Sequence, residues 1–261
     1  MNLITSRDNP LLKELRRLSQ DTTAYRKLGK VWLEGDHLCR AALARGVKPE
    51  HAVFAESQWQ TAPKEWQTAA PRNTVVPDAL FADISGLESP ARMGFVMALP
   101  DAADIQPNAP TVVLDRVQDA GNVGSILRSA AAFGFTQVVA LKGTAALWSP
   151  KVLRAGMGAH FGLHLVDGVE LDALDTLTVP CLTTDVHQGE WLHVLAAKGQ
   201  LPMPCAWILG HEGQGVAPDL AAKAQVAVRI AQPGGEESLN VAVAAAICLH
   251  ASAAAQLPFS L

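Results

Sequence analysis

Five polar side chains stand where predicted strands end, and residues of these types can bind the polar groups of a ligand: Asn122, Arg128, Glu212, Ser238 and Asn240. Asparagine and serine both donate and accept hydrogen bonds, glutamate accepts them, and the arginine guanidinium donates several to an anion. In an open α/β sheet a ligand lies beyond the carboxyl ends of the strands. Side-chain packing alone does not account well for so many polar residues in such loops. They are therefore candidates for a binding or catalytic site.

The last two of these residues lie in a stretch that changes from strand to loop to helix. Residues 226–230 alternate like a short strand, and the Pro-Gly-Gly at residues 233–235 breaks regular structure. Good helix formers follow without interruption from Val241 to Gln256. The opening of that helix favours a bound anion or, at Ser238, an N-cap. Its polar residues are Glu236, Glu237, Ser238 and Asn240.

Alternating strands and helices are predicted along the whole chain, with one break. Residues 1–100 read as a small α/β domain that starts with a basic amphipathic helix, and residues 101–110, rich in proline, aspartate and alanine, as a linker. A second alternation fills residues 111–261 and predicts a mostly parallel sheet wrapped by helices. In it we expect a polar loop over residues 116–124 and a helix over residues 125–133.

Each candidate residue also has a simpler explanation. Arg128 could be an ordinary helix-surface residue, and Glu212, which stands in a glycine-rich loop, could be a turn carboxylate. Ser238 could serve only as a helix cap. One such loop alone is therefore weak evidence of a site, whereas three of them in one chain are stronger evidence.

Basic residues are concentrated at the start of the chain, although the net charge of the whole is −4. Residues 1–48 carry 10 Lys/Arg against 5 Asp/Glu, a net charge of +5. Residues 49–107 carry 3 against 8, and residues 108–261 carry 8 against 12. A basic segment on an otherwise acidic protein predicts an acidic partner, whereas a solvated helix face would explain the same charges without one.

Composition and cysteine spacing narrow the class of protein. With 49% hydrophobic residues the chain can bury a core. It has no apolar run of transmembrane length and no apolar signal core at its start. The four cysteines lie far apart without a CxxC pair, which predicts reduced thiols in a cytoplasmic protein and neither a zinc site nor a disulfide framework.

The three loops together resemble a known family. Asn122-x-Gly124-x-x-x-Arg128, Leu209-Gly210-x-Glu212-x-x-Gly215 and Glu237-Ser238-Leu239-Asn240-Val241 are similar, in order and spacing, to the three motifs of the SpoU (TrmH-like) RNA ribose methyltransferases of the SPOUT superfamily. The segment at residues 150–159 also resembles one of that family. The likeness covers about residues 108–256, and all three motifs together make it specific.

The resemblance implies a fold that hydrophobic periodicity could not predict. The family's catalytic domain is a parallel α/β sheet whose last part threads through a loop as a deep trefoil knot, which general folding rules would not suggest. Residues 1–100 resemble, less specifically, the family's RNA substrate-binding domain, which has an L30e-like fold. The family is dimeric, with its active site at the subunit interface, so a homodimer is expected.

The resemblance also implies a reaction, the transfer of a methyl group from S-adenosylmethionine to a ribose 2′-hydroxyl in RNA. By the family pattern Arg128 stands at that hydroxyl. A guanidinium hardly loses a proton, so polarising the hydroxyl or binding the adjacent phosphate is as plausible as acting as a base. Asn122 would orient Arg128 or the ribose, and Glu212 would hold Arg128 or the nucleotide. Ser238 and Asn240 would bind near the transferred methyl group, and no metal is required.

Further residues match the family's cofactor-binding positions: Thr183, Leu209, Gly210, Gly213, Ile230, Ser238 and Leu239. One departure lies beside them. The family commonly has Ile-Pro-Met before its third motif, where this chain has Ile230-Ala231-Gln232 with Pro233 next. The departure puts the cofactor contacts at residues 231–233 in doubt, while the residues of the three motifs are intact.

The favoured function is therefore 2′-O-methylation of ribosomal RNA, with transfer RNA as the alternative substrate. A non-catalytic RNA-binding or ribosome-assembly protein of the same fold is a second reading, which the intact Arg128 and Asn240 disfavour. A dinucleotide-binding oxidoreductase is a poor third, because no GxGxxG follows the first strand of either domain. The predicted RNA contacts are basic residues near the start of the chain: Arg7, Arg16, Arg17, Arg26 and Lys27.

Overall fold

The computed structural model describes residues 1–87, 89–185, 187–235 and 238–256, so Glu236 and Glu237 lie outside the described residues. The first elements, in chain order, are β1 (Asn2–Leu3), α1 (Pro10–Gln20), α2 (Ala24–Leu28), β2 (Lys30–Glu34), α3 (Asp36–Ala44), β3 (His51–Ala55), α4 (Glu56–Trp59), α5 (Lys64–Gln67), β4 (Asn73–Val76), α6 (Asp78–Ile84) and β5 (Met93–Ala98).

The elements that follow are β6 (Thr111–Leu114), α7 (Ala120–Ala132), β7 (Gln137–Leu141), α8 (Pro150–Gly156), β8 (His164–Val169), β9 (Cys181–Thr184), β10 (Glu190–Trp191), α9 (Leu192–Ala197), β11 (Ala206–Leu209), α10 (Pro218–Ala221), β12 (Val226–Arg229) and α11 (Val241–Ala254). Ala159–Gly162 and Leu171–Thr176 are 3₁₀ helices.

The chain divides into two compact units. The N-terminal unit comprises Met1–Asp101 together with Trp148–Phe161. The second unit comprises Ala102–Leu147 with the described residues from Gly162 onward, and it is called the catalytic unit because it holds the three motifs that resemble those of the methyltransferase family. Residues 148–161 thus group with the N-terminal unit, although the sequence placed them within the second domain. The reason is apolar packing, because Leu153 lies in the core of the N-terminal unit, where Trp148 and Phe161 pack beside it.

The N-terminal unit is a mixed sheet with the predicted amphipathic helix on it. Its strand order is β1-β4-β3-β5-β2, with β5 antiparallel to both of its neighbours. Helix α1 begins at Pro10, where Asn9 accepts a hydrogen bond from the Leu11 N–H. It buries Leu12, Leu15 and Leu18, leaves Lys13 and Arg17 exposed and half-buries Arg16. This helix confirms the periodicity, and burial of its three leucines stabilises the unit by several kcal/mol, at about 1.5–3 kcal/mol each.

The catalytic unit confirms the predicted parallel α/β sheet. Its strand order is β10-β12-β9-β11-β6-β7-β8, and every pair is parallel. Such strands are buried on both faces and read as continuous apolar runs, as in β6 and β11, all of whose residues are buried. Since all the strands run the same way, their carboxyl ends meet at one edge of the sheet.

Two local predictions about helix starts are wrong. Helix α7 begins at Ala120 and not at residue 125, because the Asp119 side chain caps it by accepting a hydrogen bond from the Asn122 N–H at 2.8 Å. Asn122 therefore lies in the first turn of a helix and not in a loop. At α11 the N-cap is Asn240, whose Oδ1 accepts from Ala242 N at 2.9 Å and Val243 N at 3.3 Å, so Ser238 does not cap this helix.

The cysteines are free thiols in the structure, and burial raises the pKa of both Cys205 and Cys248 to about 12. Within the described residues, no helix is long and apolar enough to cross a membrane. The same part of the chain holds no group of three or more His, Cys, Asp or Glu side chains that could bind a metal ion.

Candidate active site

A cavity of about 540 Å³ opens at the carboxyl ends of β9, β11 and β12 and at the start of α11. Its walls include all seven residues that match the family's cofactor positions: Thr183, Leu209, Gly210, Gly213, Ile230, Ser238 and Leu239. The volume lies in the range of about 300–1,000 Å³ that is typical of small-molecule sites. The parallel sheet therefore collects, at one edge, residues that are up to 56 positions apart in the sequence.

The loop after β11 forms one wall of this cavity and is closed by its own backbone. His211 N donates to Gly215 O at 3.0 Å, and Gly215 N donates to His211 O at 2.9 Å. A Cβ at Gly210 would stand 2.2 Å from both Gly215 C and Val216 N, so a side chain there would force the loop apart. The glycine that had been expected at a ligand contact is thus also required by the fold of its own loop.

A buried carboxylate that the sequence analysis missed ties this loop to the end of β6. Asp115 accepts a hydrogen bond from Ala217 N at 2.7 Å and pairs with Arg116 Nε at 2.8 Å. Burial raises the pKa of Asp115, but the hydrogen bonds from Arg116 and Ala217 outweigh it and leave the pKa below its usual value. Arg116, with φ of 55°, also donates to Gln214 Oε1 at 3.1 Å. An aspartate directly after a buried strand was the available signal.

A chain of hydrogen bonds joins one residue from each of the three sequence motifs. Asn240 Nδ2 donates to Asn122 Oδ1 at 3.0 Å, and Asn122 Nδ2 donates to Glu212 Oε1 at 3.1 Å. The sequence separations are 118 and 90 residues, so this meeting is produced by the fold and not by local geometry. Both asparagine amides are held in one orientation, since each has a fixed partner for its oxygen.

The chain of hydrogen bonds ends at Glu212, which is its last acceptor. Its carboxylate also accepts from the backbone N–H groups of Asp119 at 3.1 Å and Gln118 at 3.2 Å, just before α7. Burial raises the pKa of Glu212, but the hydrogen bonds from Asn122 and from the backbone outweigh it, so the pKa lies below its usual value. The carboxylate is therefore charged at neutral pH and holds the amide of Asn122.

The structure does not bring Arg128 into this hydrogen-bonded chain. Arg128 is exposed on α7, and among the described residues it has no hydrogen bond or ion pair. Asn122 had been expected to orient Arg128 or the ribose, and Glu212 to hold Arg128 or the nucleotide; the two side chains bind each other and not Arg128. Ser238 is exposed at the cavity wall. The guanidinium of Arg128 is thus available to a ligand.

The five predicted RNA contacts of the N-terminal unit fall into two sets. Arg7 and Arg16 both pair with Asp83, through Arg7 Nη2 at 2.6 Å and Arg16 Nε at 2.8 Å. The remaining three residues are exposed on α1 and α2: Arg17, Arg26 and Lys27. Hydrogen bonds from Arg7 and Arg16 hold the pKa of Asp83 below its usual value.

A second, larger cavity of about 1,460 Å³ lies along α7, α9 and α11. Its walls are largely apolar, and they include Val243 and Ile247, which are 48% and 37% exposed. Asn122 and Asn240 also line it, so this apolar surface meets the hydrogen-bonded chain of the site. Helix α11 is apolar on nearly all sides, which is typical of a helix that becomes buried.

Two buried polar atoms of the first cavity have no partner within the described residues: Thr183 Oγ1 and Gln232 Oε1. Gln232 was named in the sequence only as part of a departure from the family pattern. Other wall residues that the sequence analysis did not single out are Asp185, His187, Val216 and Ala244. Their side chains carry no spacing signal, because the wall is assembled from separate strand ends.

These features define an α/β protein with a nucleotide-sized site at the carboxyl edge of a parallel sheet, and comparison with known proteins gives the family. The SpoU rRNA Methylase family matches residues 109–250, and the MRM3-like substrate binding domain matches residues 9–94. The chain therefore belongs to the SpoU rRNA methylase family.

Individual relatives agree with this assignment. The Bacillus subtilis 23S rRNA (guanosine(2553)-2'-O)-methyltransferase RlmP is 30% identical over 256 residues, which cover 96% of this chain and 98% of that protein. The human mitochondrial rRNA methyltransferase 3 is 33% identical over 74% of this chain, but the match spans only 49% of the human protein. The AdoMet-bound rRNA methyltransferase of Sinorhizobium meliloti superposes with a TM-score of 0.83 at 24% identity, covering 98% of each chain. The chain thus has the SpoU/TrmH-type α/β methyltransferase fold.

Proposed function

We propose that the protein transfers a methyl group from S-adenosylmethionine to a ribose 2′-hydroxyl of ribosomal RNA. The observation that carries this proposal is the chain of hydrogen bonds from Asn240 through Asn122 to Glu212, because it joins all three family motifs, with Glu212 on the wall of the first cavity and both asparagines on the wall of the second. The names of the relatives support the same reaction and favour ribosomal over transfer RNA.

The first cavity has the properties that S-adenosylmethionine needs. Its volume suits a nucleoside with a short amino-acid tail, and two buried oxygens, of Thr183 and Gln232, await hydrogen-bond donors. The seven matched wall residues would hold the cofactor. When bound, the sulfonium would supply a methyl group that is already activated for transfer, and the protein has only to present the nucleophile.

The asparagines and Arg128 would prepare the ribose hydroxyl. An asparagine amide has two N–H bonds, and one on each side chain is used within the chain of hydrogen bonds. The second N–H of Asn122 and of Asn240 can therefore donate to the ribose. Arg128 would polarise the hydroxyl or bind the adjacent phosphate, and fixed donors of this kind stabilise oxygen as it gains negative charge. Glu212 would keep the Asn122 amide from turning away.

We also propose the finer features of the fold that family membership suggests. Residues 1–100 would form the RNA substrate-binding domain with an L30e-like fold, residues 101–110 the linker, and residues 111–261 the methyltransferase domain with its trefoil knot. In support, α11 at the end of the chain packs against α7 near the beginning of the catalytic unit. The cytoplasm would be the site of action, in line with the four unpaired cysteines.

A homodimer would cover the apolar surface of α7, α9 and α11. A second copy of the chain on this surface would bury Val243 and Ile247 and would place the two sites next to the interface, since Asn122 and Asn240 lie at its margin. Light scattering should give twice the mass of one chain, and Ile247→Asp should give a monomer. A wild-type monomer at high concentration would contradict the dimer.

The reaction is tested by incubating the protein with methyl-labelled cofactor and either ribosomal or transfer RNA, each free of prior ribose methylation. Label should appear in ribosomal RNA as a 2′-O-methylated nucleoside. Label confined to transfer RNA would correct the substrate. If the cofactor binds but neither RNA is labelled, the chain is a binding protein and the proposed activity is wrong.

A further inference from the structure

We infer that Gln232 is a cofactor-recognition residue of this chain, whose side-chain oxygen, together with the Thr183 hydroxyl, accepts hydrogen bonds from the 6-amino group of the adenine ring. This inference rests on the proposed use of S-adenosylmethionine and adds a residue that the family pattern does not supply.

The first observation is that both oxygens are buried without a partner. Gln232 Oε1 and Thr183 Oγ1 are shielded from solvent and have no hydrogen-bond partner within the described residues. A buried acceptor without a donor is costly to the folded protein, and native structures rarely keep one unless a ligand or an ordered water satisfies it. Both residues line the same cavity, so one bound molecule could supply both donors.

The second observation is that the wall of the first cavity suits the adenine ring better than the other parts of the cofactor. The cavity wall includes the apolar side chains of Leu209, Val216, Ile230 and Leu239, and polar side chains that include His211 and Glu212. A flat, neutral adenine ring can be buried against apolar side chains, whereas the charged amino-acid tail is expensive to remove from water. The adenine amino group carries two N–H bonds, which match the two buried oxygens that lack a partner among the described residues, and polar side chains of the wall can bind the ribose hydroxyls.

The third observation is the sequence at this position. Gln232 stands where the family commonly has methionine, which offers no comparable acceptor. The turn that follows holds the residue in place, since Gly235 N donates to Gln232 O at 3.3 Å and Gly235 has φ of +80°. The departure from the family pattern, which had put the cofactor contacts at residues 231–233 in doubt, therefore adds a hydrogen-bond acceptor to the cavity wall.

The test compares two stable ligands by calorimetry on the full-length protein. One is S-adenosylhomocysteine, and the other is its analogue with hydrogen in place of the 6-amino group. The wild type should bind the adenine compound about tenfold more tightly, the effect of one well-made hydrogen bond to a buried group. Gln232→Met should lower this preference to about threefold or less, and Thr183→Val should lower it partially. Gln232→Glu, which keeps an acceptor oxygen, should retain it.

Gln214→Met is the matched control. Gln214 lines the same cavity, but its Oε1 already accepts from Arg116, so the preference should stay at the wild-type value. If Gln232→Met binds both ligands with the wild-type ratio, Gln232 does not recognise adenine and the inference is wrong. If the wild type binds neither ligand, the proposed cofactor itself is wrong. Circular dichroism of each variant identifies any that fails to fold. If Gln232→Met does not fold, the ratios of the two affinities in Thr183→Val and Gln232→Glu provide the test.

Discussion

The two units hold their predicted functional residues in different ways. In the catalytic unit, Asn122, Glu212 and Asn240 are bound to one another, and each side chain has a fixed orientation. In the N-terminal unit, two of the five predicted RNA contacts pair with Asp83, and the other three lie exposed on helix surfaces. The first arrangement suits chemistry, which needs atoms at fixed distances, and the second suits attraction of a phosphate backbone, which needs mainly charge.

This difference explains why the two sets of residues were predicted with unequal specificity. A hydrogen-bonded site needs particular residue types at particular spacings, so its sequence is recognisable as a motif. A charged surface can be built from many lysine and arginine positions, so only its net charge is visible in the sequence. The substitutions that follow should therefore have large, position-specific effects in the catalytic unit and small, graded effects in the N-terminal unit.

The largest effect is expected for Arg128→Ala. Loss of a donor aimed at developing negative charge costs about 10²–10³-fold in turnover, or roughly 2.7–4 kcal/mol. Because Arg128 is outside the first cavity and has no partner among the described residues, cofactor affinity and thermal stability should stay at wild-type values. Single-turnover methylation and calorimetry measure the two quantities. Undiminished turnover would remove Arg128 from the site.

A smaller but pH-dependent effect is expected for Asn122→Asp. The change replaces the donor to Glu212 by a second carboxylate about 3 Å away, and like charges raise the pKa of a carboxyl pair. Methyl transfer should fall about 10²-fold at neutral pH and recover partly as the pH falls and one carboxyl takes a proton.

The turnover of the wild-type protein should show no such recovery as the pH falls. The folded-state pKa of Glu212 lies below its usual value, so its contribution to stability is present at neutral pH and is lost only as the pH falls through that lowered pKa. Wild-type turnover should therefore not gain at mildly acidic pH. Parallel pH profiles of the two proteins would reject the proposed contact.

The sequence predicted the catalytic unit well because its signals are strong. Continuous apolar runs such as Thr111–Leu114 predict buried parallel strands, which the structure confirms, and the three motifs single out Asn122, Glu212 and Asn240, whose roles stay predictions. The sequence could not say that Asn122 and Glu212 bind each other, since 90 residues separate them and only the folded sheet brings them together. It also missed Asp115, whose function is to anchor a loop 102 residues away at Ala217.

Helix starts were predicted poorly for a physical reason. Ser238 and Asn240 are both good N-cap residues, and Asp119 competes with later positions for the start of α7. Cap propensities differ by less than about 1 kcal/mol, so tertiary packing decides between them. The grouping of residues 148–161 with the N-terminal unit was equally hidden, because nothing in the segment's own sequence shows which core its apolar residues join.

In the N-terminal unit, neutralising the exposed set as Arg17→Gln, Arg26→Gln and Lys27→Gln should weaken RNA binding without abolishing it. Each phosphate contact contributes about 0.7–0.9 to the slope of log affinity against log salt, so the triple variant should flatten that slope by about 2–3. The matched control changes three other exposed basic residues of the same segment, Arg40, Arg45 and Lys48. Equal losses in both variants would show that only total charge matters and that the predicted positions have no special importance.

The smallest effect is expected for Asp83→Asn. This variant separates the effect of net charge from the effect of the ion pairs that hold Arg7 and Arg16. This change removes the negative charge that pairs with Arg7 and Arg16, so both guanidinium groups are held more weakly and can contact phosphate more readily. RNA affinity should rise about two- to fivefold at low salt, and the slope of log affinity against log salt should become steeper by less than about 2. Asp101→Asn makes the same charge change at an exposed position of the same unit and should raise affinity less. If the two variants gain the same RNA affinity, the ion pairs with Asp83 do not restrain Arg7 and Arg16. These two arginines then belong with the three that do not pair with Asp83.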